Sequence, residues 1–147
     1  MLTLEDHPFT TGRCRYLDAD GRSDGAAKIC IKVAPGKWES PVLAILDTGA
    51  DGSVFNTEFA EELGLFGIEG ESIALSTRFG VISGSLVPAP VTLIADEGDS
   101  LRVDATVFIS SDWPRKAGTF LGYSGLLERV RFAVDPQRNQ FFFGPVA

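Results

Sequence analysis

The chain has 147 residues, 44% of them hydrophobic and 22% charged, with a formal net charge of −7. That length suits one domain, residues 1–147, and leaves too little chain for two full catalytic lobes. The acidic balance argues against nucleic acid and anionic membranes as partners, since phosphates are repelled at long range, and no apolar run approaches the ~18 residues of a membrane span.

The start, MLTLEDHPFTTGRCRY, lacks the basic opening and apolar core of a signal peptide, so a cytoplasmic location is the expectation. Residues 1–12 read as a flexible N-terminal segment. His7 is the single histidine, which argues against a His-dependent triad or a zinc site. The periodicity is mostly two, punctuated by Gly, Pro, Asn and Asp, so the class is mainly β. Arg13 to Leu17 reads as the first strand. Asp18 to Gly25 (DADGRSDG) follows as a solvated loop. It fails as a calcium loop, because Arg22, Ser23 and Ile29 stand where a ligand, a glycine and a bidentate acid are required. AAKICIKV then places Ile29, Ile31 and Val33 on one strand face, with the lysines and Cys30 on the other. These two strands are expected to form a hairpin with a long loop. Cys14 and Cys30 have no metal-ligand spacing, and no disulfide between them is expected.

VLAIL is nearly continuous in apolar residues, as a strand covered on both faces would be. In NTEFAEELGL, Asn56 is a natural N-cap, Phe59 and Leu63 are four apart and Gly64 ends the run, which predicts a short helix over 57–63. ESIALS and GVISGSLVP read as strands around Thr77-Arg78-Phe79-Gly80. VTLIAD and LRVDATVFI follow, joined by an EGDS turn. FLGYSGLLERV gives a strand end, Gly122 and a helical turn starting near Ser124. GYSGL is one residue short of a nucleophile elbow. VRFAVD and QFFFGPV form a closing hairpin about Pro136 to Asn139. Trp38 and Trp113 sit among Gly, Pro and charged residues, where partial exposure is expected; a substrate-side role for Trp113 is the alternative.

One junction stands out. PVLAILDTGADGSVF, Pro41 to Phe55, runs an apolar strand straight into Asp47. A buried carboxylate is costly unless it is compensated. The segment ILDTGADGSVF resembles the active-site loop of retropepsin-like aspartic proteases. TFLGYSGLLERVRFAVDPQRNQFFF resembles the closing segment of the same family: two apolar residues and a glycine, a short helix beginning Leu-Leu, then a hairpin. The resemblance spans Pro41 to Phe143 in order and spacing.

The resemblance implies a closed six-stranded-type acid protease barrel with one or two short helices, needing neither metal nor cofactor. It implies Asp47 as the catalytic carboxylate, in a loop shaped by Thr48, Gly49, Ala50 and Ser53. Thr48 would bond across to a partner loop, and Ser53 would bond Asp47. Substrate would be held by Asp51, Gly122 and a flap hairpin with its tip at Thr77, Arg78, Phe79 and Gly80. No other aspartate is followed by Thr-Gly or Ser-Gly. One chain therefore brings one carboxylate, and a homodimer would supply the second. The implied activity is hydrolysis of a peptide or protein substrate by a water activated between two Asp47 carboxyls.

The family's arginine after the matching glycine, which pairs with the acid at Asp51, is replaced by Tyr123; Arg13, Arg15 and Arg129 are the candidate substitutes. QFFFGPVA is open to two readings, an interface strand or a core strand. A peptide-binding module of the same fold without hydrolysis, and an unrelated β-barrel with a structural DTG turn, are the alternatives.

Overall fold

The computed structural model describes residues 1–22, 26–36 and 40–146. The tail of the Asp18–Gly25 loop and Trp38 lie outside them. In chain order the strands are β1 (Thr3–Leu4), β2 (His7–Pro8), β3 (Gly12–Arg15), β4 (Cys30–Pro35), β5 (Val42–Leu46) and β6 (Ser53–Val54). Helix α1 (Thr57–Glu62) follows, then β7 (Glu71–Thr77), β8 (Gly80–Leu93), β9 (Glu97–Gly98), β10 (Leu101–Ile109), β11 (Phe120–Leu121), β12 (Val130–Asp135) and β13 (Gln140–Pro145). Single 3₁₀ turns cover Leu65–Gly67, Arg115–Ala117 and Leu127–Arg129. The helix forms where its cap predicts: Asn56 Oδ1 accepts the Glu58 N–H at 3.0 Å, and Gly64 turns left-handed beyond its end.

Six strands close into a barrel in the order β10, β6, β11, β5, β4, β8 and back to β10. Closure leaves these strands no open edge along their paired lengths. Val33, Val87, Val91, Leu93 and Val107 are fully buried inside, with Phe55 and Leu121. Strand β8 is one continuous element from the Thr77–Gly80 turn to Leu93, although it carries Pro88 and Pro90. Pro90 tolerates this because its carbonyl accepts from Gly36 N, on the side away from β10. Its imide nitrogen faces the same way, so no β10 bond is lost.

A second sheet, ordered β12, β13, β3, β9, packs against the barrel. The closing hairpin is present, with Phe132 opposite Phe143 and Asp135 opposite Gln140. Phe141 and Phe143 are completely buried, so the QFFF segment is a core strand. Burying each such ring contributes roughly 1.5–3 kcal/mol.

Two local expectations fail. The Arg13–Leu17 and AAKICIKV segments do not form a hairpin; only Leu17 and Cys30 bridge them. Strand β3 pairs instead with β13 and β9, and β4 with β5 and β8. Strand β5 is fully buried only at Ala44, because Ile45 and Leu46 face a cleft. Both cysteines are free and buried. Burial pushes the Cys14 thiol up to about 12, the Asp96 charge adding to it, and raises that of Cys30 as well.

Candidate active site

Strands β5 and β11 run parallel, Ile45 beside Phe120 and Leu46 beside Leu121. The Asp47 N–H donates to Leu121 O at 2.9 Å, which fixes where the chain leaves the strand. The loop then folds back on the carboxylate. Gly49 N donates to Asp47 Oδ1 at 3.1 Å, and Ala50 N to Asp47 O at 3.2 Å. The Gly49 amide thus orients the carboxylate within the loop.

The loop is stitched to the chain beyond β11. Tyr123 N donates to Ala50 O at 3.0 Å and Ser124 N to Asp51 O at 2.7 Å. Behind them, Gly122 N donates to the buried Ser53 Oγ at 2.8 Å. A Cβ on Gly122 would lie 2.2 Å from Gly52 O, so only glycine permits this approach. Gly122 therefore stands behind the cleft and shapes its floor. Ser53 bonds Gly122, and no hydrogen bond joins it to Asp47.

Asp47 is half-buried, while Thr48, Gly49 and Asp51 are exposed. Among the described residues Thr48 makes no side-chain hydrogen bond and Asp51 has no ion-pair partner. Arg13 pairs with Glu97, and Arg129 Nη1 donates to Asp104 O at 2.6 Å, so neither reaches Asp51.

Over the loop hangs the β7–β8 hairpin. Thr77 Oγ1 accepts the Phe79 N–H at 3.0 Å and donates to Gly80 O at 2.9 Å, closing a two-residue turn. Gly80 has a φ of +99°, a conformation that suits glycine. The hairpin and the loop face one another across a cleft of about 660 Å³. Asp47, Gly49, Ala50 and Asp51 line one side, and Thr77, Arg78 and Phe79 the other.

Trp113 also lines the cleft. Against the expected partial exposure it is buried, with its Nε1–H on Gly118 O at 3.0 Å. Phe79 meets its ring edge-on at 5.7 Å and Phe120 at 6.0 Å, so the indole joins hairpin tip to cleft floor. The signal lay in tertiary neighbours, which local composition does not show. Among the described residues no cluster of His, Cys, Asp or Glu is placed to hold a metal ion. The site of one chain thus offers the Asp47 carboxylate with an amide bonded to it, the exposed Asp51 carboxylate beside it and an apolar wall.

A profile of aspartyl proteases matches residues 31–110, more than half of the chain. No curated protein matches. The structure is similar to the crystal structure of a retropepsin-like aspartic protease from Rickettsia conorii, with a TM-score of 0.59 and 18% identity over 91% of this chain and 92% of that one. With the Asp47 loop at the floor of a closed six-stranded barrel, the chain belongs to the aspartyl proteases and has the retropepsin-like fold.

Proposed function

We propose that this protein is an aspartic endopeptidase that works as a homodimer. The observation that carries the reading is the placement of Asp47: half-buried at the cleft floor, one oxygen held by the Gly49 amide, facing a hairpin tip across a cleft of about 660 Å³.

A lone carboxylate can act as base or acid at one moment, and amide hydrolysis without metal or covalent nucleophile needs both. Two Asp47 carboxyls sharing one proton across a two-fold axis provide them. The ionised one takes a proton from water, which attacks the peptide carbonyl carbon. The protonated one gives its proton to the carbonyl oxygen. The tetrahedral intermediate then collapses, the C–N bond breaks and the amine leaves with a proton returned by the dyad. Thr48 and Gly49 keep the loop in shape, with Ala50 small beside them. Asp51 and the tip residues Thr77, Arg78 and Phe79 hold an extended peptide between hairpin and floor, where backbone bonding gives general affinity. Closing the hairpin excludes water.

The test is peptide cleavage by purified wild type and by Asp47→Asn. The variant is isosteric and cannot ionise, so cleavage should fall by several orders of magnitude while circular dichroism and melting stay the same. Equal cleavage by both would contradict the reading. Peptide binding by the wild type with no cleavage at any pH would assign a non-catalytic binding module instead.

A further inference from the structure

A second concavity shares no lining residue with the Asp47 cleft. It is a groove of about 430 Å³ between the segment that follows α1 and the proline-bearing part of β8. Leu63, Leu65 and Ile68 line it from the first, Pro88 and Pro90 from the second, with Glu62 among them. The chain is led there by two glycines. Gly64, at a φ of +69°, ends the helix. Gly70 lies so close on β8 that a Cβ would strike the Leu86 carbonyl. Glu71 pairs with Leu86 in an antiparallel register, so the residues just before it run alongside Pro88. Leu65 points inward and is buried, while Phe66 and Ile68 are 44% and 42% exposed. Exposed apolar surface rimmed by polar groups marks an interaction site.

The polar groups of this groove have one character. A proline offers a carbonyl and no N–H, and the Pro90 carbonyl already accepts Gly36 N–H at 2.6 Å. The β8 wall therefore lacks the donors that strand addition needs, and what it can hold is a side chain. The rim is acidic throughout. From Gly52 to Thr77 the chain has five glutamates, Glu58, Glu61, Glu62, Glu69 and Glu71, and no lysine, arginine or histidine. All five are exposed. Arg115 pairs with Glu58; among the described residues the other four have no ion-pair partner. An apolar floor with an uncompensated negative rim complements an apolar side chain flanked by cations.

We propose that this groove docks a segment of a partner protein that buries a leucine-sized side chain between Leu63, Ile68 and Pro88 and flanks it with lysine or arginine, which meet Glu62 and its neighbours. Apolar burial supplies the affinity, and the acidic rim selects the sign of the partner. The site is separate from the Asp47 cleft and stands whether or not the chain cleaves peptides.

Backbone amide shift mapping by NMR tests it, on the isotope-labelled full chain carrying Asp47→Asn so that no probe is cut. The probe is a capped peptide, Lys-Lys-Leu-Leu-Lys-Lys, with Glu-Glu-Leu-Leu-Glu-Glu as control. The basic peptide should move the amides of Leu63, Leu65 and Ile68, whatever it does at the cleft, and added salt should weaken it. The acidic peptide should leave them in place. The dissociation constant read at these amides should rise about tenfold or more in Glu62→Lys and in Ile68→Lys, as for the loss of an interface anchor. Both variants should fold, since Ile68 is exposed and a lysine suits the C-terminal end of a helix; circular dichroism checks this. Groove amides unmoved by the basic peptide, moved equally by the acidic one, or bound as tightly in either variant would overturn the proposal. So would concentration-dependent broadening of these amides without peptide, abolished by Ile68→Lys, because a second copy of the chain would then be the occupant.

Discussion

At Ser53 one hydroxyl holds two halves of the candidate site together, accepting the Gly122 amide at 2.8 Å where neither group reaches water. Removing it leaves a buried N–H without an acceptor, at a cost of about 1–3 kcal/mol. For a chain of this size Ser53→Ala should therefore lower the melting temperature by roughly 3–10 °C, whereas Ser53→Thr, which keeps the hydroxyl, should lose less. An unchanged melting point in Ser53→Ala would show that the bond is not holding the loop. The triplet at Asp47 was legible in the sequence because an apolar strand ending in a carboxylate is unusual, and the structure does put that carboxylate at a cleft floor. The partner of Ser53 was not legible: its bond crosses from β6 to the turn after β11, and no local pattern encodes that choice. Trp113 shows the same limit. Its flanking residues, Asp112 and Pro114, suggest a surface position, and only Phe79 and Phe120 explain its burial.

The β7–β8 hairpin is the element that faces the Asp47 loop across the cleft. Its tip turn was visible in the sequence at Thr77 to Gly80. The continuity of β8 down to Leu93 was not, since Pro88 and Pro90 suggest an interruption that is avoided because their nitrogens point away from β10. Continuity gives the hairpin a rigid root: Gly84 packs so closely on Ile109 that a Cβ there would lie 2.3 Å from its carbonyl oxygen. The tip makes a lighter contact, Phe79 edge-on to Trp113. Such a pair contributes about 1 kcal/mol. We expect Phe79→Ala to raise KM for an apolar peptide by about fivefold with kcat nearly kept, since an interaction shared by bound substrate and transition state appears in KM. A fall in kcat with KM unchanged would instead place Phe79 in the chemical step. The β3–β4 hairpin inferred from adjacency is the element the sequence got wrong. Both strands found better partners, β3 in the terminal sheet and β4 in the barrel, because each buries its apolar residues there.

For the whole molecule, the mainly β class followed from alternating patterns and turn residues, and the closed barrel and the family from the resemblance carried by two short segments far apart in the chain. The terminal sheet did not follow, because QFFFGPVA fits either a core strand or an interface strand until its neighbours are known. Strand β13 is held on both sides within its own chain, and under the proposed dimeric reading a second copy would complete the cleft. Each chain carries a formal charge of −7, so the proposed association would work against net repulsion and salt should favour it through screening. The central claim is that catalysis needs an Asp47 from each of two chains, and mixing tests it most directly. Wild type and Asp47→Asn chains are allowed to exchange at fixed total concentration, and peptide cleavage is measured against the fraction of wild type. If every active site needs both carboxylates, mixed pairs are dead and activity falls as the square of that fraction, to about one quarter at an equal mixture. A straight-line fall, to about one half, would mean that one Asp47 per site suffices and would contradict the account.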